Sequence, residues 1–461
     1  MSRSLSTVQP PLEFIPPNLD LKVVRLTNWL LPLWMRSKTS VAAVEAENLE
    51  TLVRVYQQFE QKKVRVLLAF RHPSVDDPIC MGYTLGRLLP KQAQQMGVKF
   101  QNLTHAHFMY DRGIPLWAGK LMGKLYAKLG GTPIMRGKVD RTGLKSARKL
   151  LLDAQFPLMA APEGATNGHS ELVSPLEPGL AQLAFWCMED LKKADRVEEV
   201  LIVPIGIQYR YLDAPWGAIQ DLLAELEQDC GLVGQAGAIG DTLDEQLYYR
   251  MYRLGEHILS TMEAHYQRFY HCDFPALNPA EGASHTLFGQ RLHRLMDRAL
   301  TVAEQYFGAP GRGSVIDRCR RLEQLAWELI YREDLNLESA SPFERGLADR
   351  VAEEANLRLW HMRLVEGFVA VTGKYVHEKM TVERFADTLT ITWEMLQKIK
   401  ADRPGLARPK LGKKCGTVTI GEPLRISDYW ETYSRDRRSA KAAVEDLTQT
   451  LQGALQSLIR S

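Results

Sequence analysis

The 461-residue sequence predicts an α/β fold: a mostly parallel sheet covered by helices and interrupted by an all-helical insertion. Three observations lead there. Continuous apolar runs at 64–70, 156–161 and 200–207 have the character of strands buried on both faces, and helical periodicities separate them. From about 213 to about 402 the strand signal disappears and long helical periodicities replace it. A strand signal then returns at 416–420, followed by a helix over 439–460. Alternating strands and helices imply parallel pairing, because each crossover helix must cover a sheet face.

Taken in order, residues 1–20 are rich in Pro and Ser and read as an extended arm. Residues 21–38 mix Leu, Val, Trp29 and Trp34 with Lys22, Arg25 and Arg36, and Pro32 interrupts their longest apolar run. Leu49, Leu52, Val53 and Tyr56 predict a helix over 44–62, and a further helix is expected over 78–95. A short strand is read at 98–103. Residues 114–129 form an amphipathic helix with Lys120, Lys124 and Lys128 opposite Leu116, Leu121 and Leu125. Short strands at 131–135 and 156–161 flank a basic helix at 142–154, and a helix at 178–195 precedes the strand at 200–207. In the helical stretch, Leu247, Leu254 and Ile258 share one face, and later helices run near 315–332, 342–373 and 381–401. The expected division is 1–60 as an N-terminal amphipathic segment, 61–212 as the α/β domain, 213–410 as the insertion, and 411–461 as the closing strand and helix.

Composition narrows the function classes. Apolar residues are 45% and charged residues 25%, ordinary globular values, and the net charge of +3 makes no demand for nucleic acid. Six scattered cysteines without a Cys-x-x-Cys pair suggest reduced thiols, not a disulfide framework or zinc ribbon. No apolar run reaches the roughly 18 residues of a spanning helix. His265, His271 and Cys272 imitate a metal set, but a helix surface is the better reading, and no metal is expected.

Chemistry concentrates at strand ends. The run 64–70 ends in Arg71-His72-Pro73-Ser74-Val75-Asp76-Asp77, where Asp77 can fix the imidazole tautomer and leave the other nitrogen as a base. The run 156–161 ends in Pro162-Glu163-Gly164-Ala165-Thr166-Asn167, a carboxylate with a glycine turn. Between them, Gly131 to Arg141 offers Arg136 as a planar fork for phosphate. Val203-Pro204-Ile205 has no titratable group and suggests a shaped wall.

This set, in this order, resembles the glycerolipid acyltransferase family, whose archetype is 1-acylglycerol-3-phosphate acyltransferase. Its blocks His-x-x-x-x-Asp, Gly-x-x-x-x-Arg, Pro-Glu-Gly and a proline-centred apolar block match His72/Asp77, Gly131/Arg136, Pro162/Glu163/Gly164 and Val203/Pro204/Ile205. Gly421-Glu422-Pro423 and the final helix match the family's closing segment. The resemblance covers about 60–212 and 412–461. It implies direct attack of a lipid hydroxyl on an acyl thioester, with His72 as base and Asp77 orienting it. Arg136 and Glu163 would bind the acceptor, with Ser74, Gly131, Gly164 and Pro204 also at the substrate site. No cofactor is implied; acyl carrier protein or coenzyme A would carry the acyl group to a lysophospholipid, by default lysophosphatidic acid. Trp29, Leu30, Leu31, Leu33, Trp34 and Met35 between Arg25 and Arg36 have the arrangement of a short interfacial anchor, and a peripheral place on the cytoplasmic side of a membrane is expected.

Two departures matter. The third block usually continues Thr-Arg-Ser, and here it reads Ala165-Thr166-Asn167, without the arginine. That loss favours, as a second reading, acylation of a neutral lipid alcohol. The helical stretch also separates the fourth block from the closing strand by almost two hundred residues. A catalytically silent lipid-binding scaffold is the rival class, opposed by the presence of His72, Asp77, Arg136 and Glu163 together.

Overall fold

The computed structural model describes residues 7–135, 140–232, 240–276, 284–368, 373–401 and 408–460. They fall into two compact units, one holding residues 14–135, 140–214 and 412–460, the other residues 7–13 and the described part of 215–411.

The first unit is built on a single eight-stranded sheet. Its strands are β1 Val41–Glu47, β2 Val64–Phe70, β3 His107–Asp111, β4 Gly131–Ile134, β5 Leu158–Ala160, β6 Glu199–Tyr211, β7 Lys414–Ile420 and β8 Leu424–Arg425. The order is β1-β7-β6-β2-β5-β3-β4, with β8 also on β6. Only the pairings of β6 with β7 and β8 are antiparallel. The helices are α1 Leu21–Lys38, α2 Leu49–Glu60, α3 Asp77–Tyr83, α4 Leu89–Gln95, α5 Ile114–Ala118, α6 Lys120–Lys128, α7 Arg141–Asp153 and α8 Gly179–Lys193. After the insertion come α16 Ser427–Tyr433 and α17 Arg437–Ser457. Side-chain alternation divides the core between two faces. Val66, Leu68, Phe70, Val203, Ile205 and Ile207 meet Leu52, Val53, Met81 and Leu89 on one face. Leu67, Ala69, Val200 and Ile202 meet Ala147, Leu151, Ala184, Leu447 and Leu451 on the other.

Pro204 lies inside this sheet without costing a ladder bond. Its carbonyl accepts from Gly421 N (2.8 Å), so its N–H position faces the same side, the gap between β7 and β8. A proline is tolerated where no ladder donor is required.

The second unit carries α9 Trp216–Asp229, α10 Leu243–Tyr270, α11 Ser284–Phe307, α12 Val315–Ile330, α13 Pro342–Glu366, α14 Tyr375–Glu378 and α15 Val382–Ala401. Its core includes Leu259, Tyr266, Leu300, Leu322, Ala352 and Leu359. The N-terminal arm belongs to this unit: Val8 N donates to Asp349 Oδ1 (2.9 Å) and Gln9 N to Ile330 O (2.7 Å).

Three local expectations need correction. Residues 44–62 are not one helix: β1 ends at Glu47 and α2 starts at Leu49. The strand sequence, Val-Ala-Ala-Val-Glu-Ala-Glu, favours helix locally, and pairing with β7 overrides it. The strand read at 98–103 lies instead at 107–111; the amides of Gln101 and Asn102 are taken by the Glu60 carboxylate. The helix read at 114–129 is broken at Gly119, whose φ of 88° no helix accommodates. Pro32 lies inside α1. The carbonyl of Asn28, left without its usual donor by that proline, accepts from Arg87 Nη2 (3.2 Å).

Tyr211 of β6 and Lys414 of β7 are register partners, so the insertion leaves and re-enters the sheet at neighbouring positions. Replacing 220–405 with a short flexible linker is expected to leave a folded α/β unit. Circular dichroism and a cooperative thermal transition check this; an unfolded product would make the insertion part of the core.

Candidate active site

Because β2, β5, β3 and β4 are all parallel, the segments that follow them emerge at one edge of the sheet. His72 follows β2 there, and Asp77 is the first residue of α3, reached by the tight turn 73–76. His72 Nδ1 lies 2.9 Å from Asp77 Oδ2. Ser74 N donates to the same oxygen (2.8 Å), and Tyr209 Oη donates to Asp77 Oδ1 (2.5 Å). Asp77 is fully buried, whereas the His72 side chain keeps 22% of its surface. With Nδ1–H given to the carboxylate, Nε2 carries the lone pair, and among the described residues nothing hydrogen-bonds it. Asp77 also gains from its place at the positive end of a helix.

Glu163 stands behind the histidine. Its Oε1 accepts from His72 N (2.8 Å), and its Oε2 accepts from Asn167 Nδ2 (2.8 Å) and Ser174 N (2.9 Å). Burial pushes its carboxyl above the usual range, while the charge of Arg71 and the His72 and Ser174 amides oppose that rise. Both oxygens are engaged within the protein, which makes Glu163 a brace for the His72 backbone. Gly164 has a φ of 72°, and a Cβ there would meet the Glu177 carboxylate at 2.2 Å, so glycine is required twice over.

The remaining sequence candidates are dispersed. Ser74 acts through its backbone amide on Asp77, while its hydroxyl accepts from Asp76 N (3.2 Å). Gly131 begins β4 and is level in the sheet with Phe108, Met159 and Leu68, short of the edge where His72 lies. A Cβ on it would lie 2.7 Å from the Phe108 ring, so its local role is packing. Pro204 pairs with Ala69 inside the sheet. Arg136 lies outside the described residues. His105 and His107 serve structure: each bonds a carbonyl, of Leu129 and Gly130, and burial lowers both imidazoles below their usual range.

Residues 43–208 match the family described as Acyltransferase. The α/β unit carries an acyltransferase domain. No curated protein and no solved structure matches the chain. Within the acyltransferase domain, sequence reading missed Tyr209, Asn167 and Arg71, whose buried guanidinium donates to the carbonyls of His169, Ser170, Leu172 and Ile207. Tyr209 had a signal, since it ends an otherwise aliphatic row of alternate residues, Val203, Ile205 and Ile207. Asn167 had none beyond its place in a polar loop.

His72→Ala is expected to lower acyl transfer by about 100-fold to 10,000-fold, the usual loss on removing a general base. Asp77→Asn should lose less, since the imidazole remains. Initial rates of thiol release at saturating thioester, with melting temperatures alongside, check both; near-native turnover in His72→Ala would overturn the assignment.

Proposed function

We propose that the domain transfers a fatty acyl group from a thioester of acyl carrier protein or coenzyme A to the free hydroxyl of a lysophospholipid, with lysophosphatidic acid the default acceptor. The observation that carries this reading is the Asp77-held imidazole, with its Nε2 unpartnered at the sheet edge of an acyltransferase domain. In the proposed step Nε2 takes the hydroxyl proton as the oxygen attacks the thioester carbonyl. The carbon–sulfur bond then breaks, and the proton passes from His72 to the leaving thiolate. Glu163 holds the base in place, and Arg136 is the proposed phosphate contact. The runner-up, a neutral lipid alcohol as acceptor, draws support from Thr166 standing where the family has arginine.

A peripheral place on a membrane surface is part of the proposal. No helix among the described residues is long and apolar enough to cross a membrane. α1 turns Val24 and Met35 inward and sets Leu31 against Gly82, while Trp29 is 70% exposed, Leu33 68% and Trp34 51%. On α6, Leu121 is 81% exposed as well, with Lys124 on the same helix. Aromatic and aliphatic side chains outward on a short helix, with cations at its end, suit insertion at headgroup depth.

Arg136→Lys should weaken use of a phosphorylated lysolipid and leave a neutral one nearly unaffected, because lysine lacks the bidentate fork. Apparent KM values for phosphorylated and dephosphorylated lysolipids on both proteins check this. Equal use of both by the wild type would favour the neutral-alcohol reading.

Trp29→Ser with Trp34→Ser should shift protein from anionic vesicles to the supernatant in a sedimentation assay, without a lower melting temperature. Wild-type binding should weaken with added salt. Unchanged sedimentation of the double variant would remove α1 as the anchor.

A further inference from the structure

We propose that Tyr209 is a positioning residue for the catalytic pair, which makes the working unit a chain of buried Cys80, Tyr209 and Asp77 leading to the part-exposed His72. The proposal rests on the reading of His72 as base. Tyr209 lies one residue beyond the segment matched to the family.

Asp77 is a fully buried carboxylate held by the Tyr209 hydroxyl on Oδ1 and by the Ser74 amide and His72 ring on Oδ2. A buried carboxylate needs its charge dispersed over donors. Tyr209 is the donor on the oxygen that does not face His72. It therefore fixes the rotation of the carboxylate about its last bond and presents Oδ2 to the ring. It also withdraws charge, which limits how strongly Asp77 favours the imidazolium.

The surroundings hold Tyr209 in that role. Burial and the neighbouring Asp77 charge push its hydroxyl well above the ordinary range, so it remains a donor. Cys80 Sγ lies 3.4 Å from Tyr209 Oη, and burial keeps that thiol protonated, able to donate in turn. The Tyr209 backbone is clamped by Ser170 Oγ, which accepts from Tyr209 N (2.8 Å) and donates to Tyr209 O (3.1 Å). Opposite in the ladder stands Gly416, where a Cβ would lie 3.1 Å from Cys80 Sγ and 3.3 Å from the Tyr209 ring. The ring and thiol thus occupy space that a side chain on β7 would take.

Removing the hydroxyl should raise the basicity of His72, because Asp77 would then direct more charge to the ring. The test follows the His72 ring nitrogens by 15N NMR, assigned with His72→Asn, in full-length wild type and Tyr209→Phe. This readout needs no substrate, so it stands apart from the choice of donor and acceptor. The titration midpoint is expected to rise by about half a pH unit, a fraction of a hydrogen bond to a charged group. Thioester turnover should fall roughly tenfold, and the acid limb of kcat/KM should move to higher pH with the NMR midpoint. In an Asp77→Asn background the same substitution should cost little more, as expected for residues acting in one unit. An unchanged midpoint with unchanged coupling would overturn the proposal, whatever happened to melting temperature. Should Tyr209→Phe fail to fold, the wild type still decides: its Tyr209 hydroxyl proton must appear as a downfield resonance that Asp77→Asn shifts, and a solvent-exchanging hydroxyl without that response would overturn it.

Discussion

Arg71 places a permanent positive charge inside the protein with no exposed surface at all. Taking a guanidinium out of water costs several kcal/mol even after relaxation, roughly, so its position is tenable only where acceptors surround it. They do: Nη1 donates to the carbonyls of Ser170 and Ile207, and Nη2 to those of His169 and Leu172. Three of these carbonyls belong to the loop after β5 and one to β6. The loop therefore cannot leave the sheet edge without stranding a buried charge. Glu163, on that loop, feels the same charge and takes the His72 amide. Asn167 closes the arrangement, donating its own amide to His72 O (3.3 Å) and its side chain to Glu163. His72 is thus pinned through its backbone on both sides, and only its ring remains available for chemistry.

The same sheet tolerates a large interruption for a geometric reason. Between β6 and β7 the chain makes an antiparallel pairing, the one kind of connection that needs no crossover. Its two ends, at Tyr211 and Lys414, are already side by side. Lengthening such a loop costs about 0.6 kcal/mol per doubling if it is flexible. Here the cost is further limited, because the inserted residues bury their own core around Tyr266, Leu322 and Leu359. A crossover between parallel strands would not have offered adjacent endpoints.

What could be read from the sequence follows from how local its causes are. β2 and β6 announced themselves because strands buried on both faces must be apolar throughout, and the site followed from the residues at their ends. β1 did not, because an edge strand of Ala, Val and Glu has helix-forming composition, and only a partner some 370 positions away makes it a strand. The His72–Asp77 contact was legible from spacing, since both lie on one turn. The Tyr209 contact was not, because it spans β6 to α3 across the sheet face. Glu163 was legible as a site residue, but not its direction: a carboxylate in a loop reads as a ligand group, and three protein donors turn it into a brace.

The electrostatics of the sheet edge bear on which acceptor the domain can use. Arg71 is committed to carbonyls, as shown above, and Arg112, just past β3, is ion-paired with Asp140. Asp140 also caps α7 through Gly143 N (3.0 Å) and accepts from Met135 N (2.9 Å), so it fixes that arginine instead of releasing it. The loop that carries arginine in the family carries Thr166 and Asn167, and Asn167 is spent on Glu163 and on Leu172 O (2.7 Å). Arg71, Arg112 and Asn167 thus direct donors to groups of the protein itself. Those described groups are therefore engaged within the protein, and on the proposed reading a phosphate would be recognised by Arg136. Under that reading, discrimination between the two proposed acceptor classes would be concentrated in one guanidinium, where bidentate geometry, not net charge, would set the selectivity.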